Sequence, residues 1–339
     1  MKEIRYKESE LLKSKIEKSK NILITTHVNS DGDAIGSTLA MQGILRKLSK
    51  NVNIVTPNDF PGFLQWMDGA KEILIYYHSK KKVRELAKKA DLILCIDYND
   101  SRRLENAEKT ILDSTAFKIL IDHHPEPGKF TDLVISDTSL GSSAEVIYYL
   151  LKDMGYVDLI DKSDAESLYT GVMTDTGNFS FACSYPEVWT MVAELLKKGL
   201  DKDKIYSLVY DNYSEKRMRL MGYCLNKKMK VFPELNTAVI GLTKEEMDKF
   251  DHVPGDTEGF VNLPFSIKGI KLTALFLEKK DHVRISMRSR GDFSVNMLSR
   301  KHFNGGGHLN AAGGELKMSV EEAIKNFREV ISRYKEDLQ

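Results

Sequence analysis

The chain has 339 residues, enough for two domains that each bury a core of their own. Its 50 Lys and Arg nearly balance 49 Asp and Glu, which excludes a strong field able to draw in long nucleic acid or an anionic membrane. Cys95, Cys183 and Cys224 are too few and too widely spaced for a disulfide framework or a zinc knuckle, and read as small buried hydrophobes of a reducing cytosol.

The chain begins Met1-Lys2-Glu3-Ile4-Arg5, charged and amphipathic and unlike a signal peptide, and no apolar run reaches membrane-spanning length. A cytoplasmic protein without membrane attachment is expected. Residues 11–20 read as an amphipathic helix and Ile22-Leu23-Ile24-Thr25-Thr26 as a strand. A helix from about Asp33 to Leu48 precedes a strand at Val52-Asn53-Ile54-Val55 and a short one at residues 73–76. Leu92-Ile93-Leu94-Cys95-Ile96 and Phe117-Lys118-Ile119-Leu120-Ile121 are two more strands. Ser142-Ser143-Ala144-Glu145 offers a capping box for a helix through Leu151, and helical patterns follow at residues 165–173 and 186–198. This alternation predicts βαβ units: an α/β, parallel-sheet domain with helices on both faces, spanning residues 1–200.

Residues 201–228 are highly charged, helix-prone and free of Pro, and read as a helical connector. Strand-like segments at Thr237-Ala238-Val239-Ile240, Leu272-Thr273-Ala274-Leu275-Phe276-Leu277 and His282-Val283-Arg284-Ile285-Ser286-Met287 then suggest a smaller α+β domain over residues 229–339.

The chemistry concentrates after apolar runs. His27-Val28-Asn29-Ser30-Asp31-Gly32-Asp33 follows the first strand, Asp97 and Asp122-His123-His124 close two others, and Asp175 closes Gly171-Val172-Met173-Thr174-Asp175. In an open parallel sheet such carboxyl ends share one edge, where ligands bind. So many carboxylates and imidazoles would repel and desolvate one another unless a cation compensated them. Singly the pieces are bland: Asp31-Gly32-Asp33 is a turn with an N-cap, Asp97 a helix cap, Asp175 a helix end. Together, mostly oxygen with some imidazole and no thiolate, they favour Mn2+, with Mg2+ or Co2+ as alternatives, over structural zinc. Two such ions, roughly 3.5–4 Å apart, clamp a phosphoryl group and generate a bridging hydroxide, so no covalent nucleophile is needed. His78, His252, His282 and His302 lack this context and read as surface or structural.

The second strong signal is Asn304-Gly305-Gly306-Gly307-His308-Leu309-Asn310-Ala311-Ala312-Gly313-Gly314, whose consecutive glycines suit close backbone approach to an anion. Arg288, at the end of a strand, suits bidentate phosphate recognition, and Arg102 or Arg103, shortly after Asp97, could reach the metal cleft.

Asp122-His123-His124 is the signature of the DHH phosphoesterases, and His27 with Asp31-Gly32-Asp33-Ala34-Ile35-Gly36-Ser37 resembles the first motif of that family. The Asp97 and Asp175 segments resemble its second and fourth, and the glycine-histidine run resembles the DHHA1 motif, so the likeness spans nearly the whole chain. It departs at Ser30, where relatives commonly have proline, and at Asn304, which replaces the first DHHA1 glycine. The resemblance implies one metal on His27, Asp31 and Asp97, and a second on Asp33, Asp97, His123 and Asp175, with Asp97 bridging. It makes His123, His124, Asp97 and Asp122 the catalytic set, His124 supporting the ligands or touching phosphate and Asp122 orienting a ligand histidine. Arg288, Gly305, Gly306, Gly307, His308 and Arg102 would bind substrate.

Within the family the chain resembles the NrnA-type enzymes, which implies hydrolysis of very short RNA and of 3′-phosphoadenosine 5′-phosphate, in a possible homodimer. The metal centre would cut, the glycine loop would hold, and the connector would let the cleft open and close. A linear or cyclic dinucleotide phosphodiesterase, acting on pApA or cyclic di-AMP, is the alternative within enzymes. A non-catalytic nucleotide or RNA sensor is the alternative outside them, and the complete ligand set argues against it. A structural metalloprotein would need a closed thiolate set, which is absent.

Overall fold

The computed structural model describes residues 6–211, 213–253, 255–307 and 309–339. The charged start at residues 1–5 and His308 therefore lie outside the described residues. The chain divides into two compact units, Met1–Asn212 and Tyr213–Gln339.

In the first unit helix α1 (Ser9–Lys18) leads into strand β1 (Asn21–Thr25), helix α2 (Gly32–Lys47) and strand β2 (Asn51–Thr56). Strand β3 (Leu74–Ile75), helix α3 (Tyr76–Lys89), strand β4 (Leu92–Ile96), helix α4 (Glu108–Leu112), strand β5 (Phe117–Asp122) and strand β6 (Leu133–Ser136) follow. Helices α5 (Ser143–Asp153), α6 (Lys162–Asp175), α7 (Pro186–Lys197) and α8 (Lys202–Tyr210) complete the unit. The strands form one sheet in the order β3-β2-β1-β4-β5-β6, every neighbouring pair parallel.

Successive residues of a strand face opposite sides, and both sides are apolar here. Ile22, Ile24, Leu92, Leu94, Ile119 and Ile121 pack with α2, α5 and α6 residues in one core, whereas Leu23, Ile93, Cys95 and Leu120 pack with Val83, Ala87 and Ile111 of α3 and α4 in another. Helices thus cover both faces, as the continuous apolar runs require of a parallel sheet. The chain winds outward from β1 to β3, then crosses back to β4, so β1 and β4 are neighbours at the point where winding reverses. Open α/β sheets bind ligands there.

The connector segment is shared between the units. Helix α8 contributes Ile205 and Val209 to the first core, while helix α9 (Glu215–Tyr223) contributes Leu220 to a core of the second unit. That unit continues with strands β7 (Met229–Phe232) and β8 (Thr237–Leu242), helix α10 (Lys244–Asp248), strands β9 (Leu272–Glu278) and β10 (Val283–Ser289), and helix α11 (Val295–His302). Strands β11 (Gly306–Gly307) and β12 (Ala311–Leu316) and helix α12 (Val320–Ser332) close it. Its sheet runs β11-β12-β10-β9-β8-β7, with β8 and β9 parallel and the other neighbours antiparallel. All three cysteines are free and buried. Among the described residues no helix is long and apolar enough to cross a membrane.

Candidate metal centre

The strand ends deliver the cluster. β1 runs into His27, β4 into Asp97 and β5 into Asp122, His123 and His124. Asp97 donates its N–H to Ile121 O at 3.0 Å, then turns with φ 66°, a left-handed conformation rare for a residue with a Cβ. Such strain clusters at functional sites.

Asp31 caps α2, its Oδ1 accepting from the N–H groups of Asp33 and Ala34 at 3.1 Å. Asp33, in the first turn of α2 and buried, accepts from Ser143 N at 2.6 Å, Ala144 N at 2.9 Å and Ser37 Oγ at 3.0 Å. The start of α5 therefore clamps a carboxylate from α2, the charge a helix N-terminus favours. Ser142 caps α5 from its side chain, but Glu145 does not complete the expected box. Its Oε2 instead accepts from Gly141 N at 2.9 Å and from Tyr185 OH at 2.7 Å. Asp175, read from sequence with the strand ends, is the last residue of α6. A carboxylate at the negative end of a helix is disfavoured unless a cation offsets it.

Distances divide these side chains into overlapping groups. Asp97 Oδ2 lies 3.3 Å from His27 Nε2, which is also 4.0 Å from Asp31 Oδ1. Asp97 Oδ1 lies 3.8 Å from His123 Nε2, which is 3.2 Å from Asp175 Oδ2 and 4.0 Å from Asp33 Oδ2. His27, Asp31 and Asp97 thus offer donor atoms within 4.8 Å of one another, as do Asp33, His123 and Asp175, and Asp97 with His123 and His124. His27 Nε2 is buried without a hydrogen-bond partner while facing two carboxylates. That orphaned nitrogen, the crowded oxygens and the helix-end position of Asp175 fit divalent cations.

The electrostatics agree. Burial, then the charges of Asp97 and Asp175, push the Asp33 carboxyl well above its usual range. Burial also opposes ionisation of Asp97, but the His27 imidazole 3.3 Å away and the charges of His124 and His123 outweigh it and hold that carboxyl below its usual range. His123 is raised, because Asp97, Asp33 and Asp122 together overcome the burial that favours a neutral ring.

The surroundings fix the imidazoles. His27 Nδ1 lies 2.7 Å from Val28 O and His123 Nδ1 lies 3.4 Å from Leu140 O, which turns each Nε2 toward the carboxylates. Asp122 Oδ1 sits 2.7 Å from Nδ1 of His124, so its partner is His124 and not His123. Ser143 Oγ donates to Asp97 Oδ1 at 2.8 Å, a contact without a sequence signal beyond the helix start.

Of the two arginines after Asp97, Arg103 reaches the cluster, its Nη1 3.1 Å from His124 Nε2. Arg102 is 84% exposed and pairs with Asp100, its Nε 2.9 Å from Oδ1. Asp100 captures its neighbour two residues on, and Arg102 is not brought to the carboxylates by any contact. In the second unit Arg288 stands opposite Ala311 in the β10–β12 ladder and donates to Met287 O at 2.9 Å. Gly306 and Gly307 pair with Gly313 and Ala312. A Cβ on Gly305 would meet Gly313 O at 1.9 Å and one on Gly307 would meet Ala311 O at 2.4 Å, so these two glycines serve the hairpin itself. Gly306 alone of the three would accept a Cβ at ordinary contact distance, with Arg300 Nε nearest at 3.8 Å.

Residues 21–172 match the model of the DHH family, N-terminal domain, and residues 237–337 match that of the DHHA1 domain. The chain is 30% identical over 317 residues to the bifunctional oligoribonuclease and PAP phosphatase NrnA of Thermus thermophilus, covering 92% of this chain and 90% of that protein. It is 25% identical to the cyclic-di-AMP phosphodiesterase GdpP of Bacillus subtilis, covering 96% of this chain and 50% of that protein. The crystal structure of an exopolyphosphatase-related protein from Bacteroides fragilis superposes with a TM-score of 0.96 at 43% identity, covering 100% of this chain and 99% of that one. With the Asp-His-His strand end, its carboxylate partners and the second-unit hairpin in place, this chain belongs to the DHH/DHHA1 phosphoesterase family.

Proposed function

We propose that the protein hydrolyses short oligoribonucleotides and 3′-phosphoadenosine 5′-phosphate at a site holding two divalent cations, Mn2+ by preference. The observation that carries this is the position of Asp97, whose Oδ2 belongs with His27 and Asp31 and whose Oδ1 faces His123. His27, Asp31 and Asp97 would hold one cation; Asp33, Asp97, His123 and Asp175 the other. When bound, such a pair supplies Lewis acidity toward phosphoryl oxygens and makes water a better nucleophile at neutral pH.

The chain's own residues do the rest. Ser143 and the α5 amides hold Asp97 and Asp33 in place, so the carboxylates need not reorganise. Arg103 donates to His124 Nε2, which leaves the His124 Nδ1 proton to Asp122, and the guanidinium puts positive charge beside the cluster for an anionic substrate. Arg288, Gly306 and His308 would grip the terminal phosphate and sugar, with Gly305 and Gly307 shaping the turn.

The likeness to NrnA supports the substrate class, and the near balance of charge supports short substrates over long duplexes. The likeness to GdpP supports a second reading as a linear or cyclic dinucleotide phosphodiesterase. A cytoplasmic homodimer accompanies the first reading, with residues 1–200 cutting and residues 229–339 holding.

The test is product analysis with Mn2+ on 3′-phosphoadenosine 5′-phosphate, pApA, cyclic di-AMP and RNA of increasing length. Asp97→Ala should retain the fold yet lose more activity than the roughly 10–100-fold that outer-shell changes cost. Full activity in that variant, or after thorough chelation, overturns the reading. His308→Ala should weaken binding of nucleotides more than it slows hydrolysis of a small artificial ester, and equal losses would refute the division of labour.

A further inference from the structure

Directly after Asp175 the backbone does something costly. Gly177, Asn178 and Phe179 adopt φ of 55°, 55° and 59° in succession, and Ala182 follows at 50°. Consecutive left-handed residues are avoided because each Cβ crowds the next carbonyl. They persist where the surroundings over-determine them, typically at ligand-contacting sites.

Here the surroundings are dense. Asn178 N donates to Met173 O at 2.7 Å, Phe179 N to Thr176 Oγ1 at 3.1 Å, and Ser180 N to Thr176 O at 2.9 Å. Trp189 Nε1 donates to Cys183 O at 3.0 Å, and the Phe179 ring packs between Tyr169 and Trp189, at centroid distances of 5.6 and 5.3 Å. Phe179 is thus part of the core edge, whereas Phe181 is 49% exposed. Its ring lies against Gly177, where a Cβ would fall 2.3 Å from Phe181 Cε1. A residue pair spans at most roughly 7 Å of chain, so the ring sits close to Asp175.

We propose that Phe181 is a stacking platform for the nucleobase attached to the phosphate that the carboxylate cluster receives, an inference that rests on the nucleotide-hydrolase reading. Its warrants are a half-exposed aromatic face, a glycine that makes room for the ring, and backbone strain two to seven residues after Asp175 of the cluster. Stacking accepts any base, which suits a chain acting on short strands irrespective of sequence.

The experiment compares wild type, Phe181→Ala, Phe181→Leu and Phe181→Trp, with Mn2+, on pApA and on analogues lacking one base or the other. Phe181→Ala and Phe181→Leu should raise KM for pApA roughly tenfold, and Phe181→Trp should restore it. Removing the stacked base should raise the wild-type KM by a similar factor, and the two changes combined should not multiply. Restoration by leucine, equal losses on pApA and both abasic analogues, or an unchanged KM would overturn the proposal while leaving the hydrolase reading intact. So would a light-scattering result in which wild type self-associates and Phe181→Ala does not, since the ring would then be covered by a second copy. Wild type inert toward every nucleotide would instead sink the reading beneath it.

Discussion

His124 shows how far a single side chain constrains the chemistry. Arginine only donates, so its contact with Nε2 leaves that nitrogen the acceptor and puts the proton on Nδ1, facing Asp122. Asp122 is fully buried and its second oxygen has no hydrogen-bond partner, which makes the imidazole its principal compensation. Asp122→Asn should therefore lower kcat by roughly 10–100-fold while the Mn2+ concentration for half-maximal activity stays close to wild type. Were the Mn2+ requirement to shift together with kcat, Asp122 would be acting through a ligand, as the family resemblance alone implies. Sequence placed Asp122 next to two histidines and gave no means of choosing between them; the choice depends on Leu140 O occupying the Nδ1 side of His123.

Between elements, the cluster depends on how closely α2 approaches α6, because Asp33 begins one and Asp175 ends the other. A Cβ on Gly36 would lie 2.3 Å from Ser167 O, a backbone atom that cannot move aside alone. Gly36→Ala should push the helices apart, cost about 1–3 kcal/mol in chemical unfolding, and weaken Mn2+ dependence even though no ligand is changed. A variant with lower stability and unaltered Mn2+ titration would separate that packing from the site. At this scale the sequence was informative where apolar runs end in acids: His27, Asp97 and the Asp122-His123-His124 run all follow strands of the parallel sheet. It was silent where tertiary contacts decide. Leu133–Ser136 is too short to carry a periodic signal, and the glycine-rich Ala311–Leu316 reads as a loop until β10 pairs with it. Asp175 follows an apolar run like the others, but that run belongs to the helix read at residues 165–173, and Asp175 is its last residue rather than a strand end.

For the whole molecule, burying acids around one centre sets how stability answers to pH, and Glu145 is the measurable case. It is fully buried on α5, one oxygen unpartnered, and burial pushes its carboxyl up to about 7 despite the Tyr185 and Gly141 hydrogen bonds. An unfolded glutamate titrates near 4.3. Between those values the native state holds a proton that the unfolded chain has released, so native stability is greatest below the lower value and declines as pH climbs to the upper one. The whole decline is on the order of 3 kcal/mol. Glu145→Gln keeps an oxygen to accept from Gly141 and Tyr185 but cannot ionise, so its urea midpoint should change less than wild type's between pH 5 and pH 8, and should exceed wild type's at pH 8. Parallel curves for the two proteins would mean that Glu145 ionises as freely when folded as when unfolded. The same variant should keep its response to Mn2+, because Glu145 touches the Gly141 backbone and none of the cluster's donor atoms.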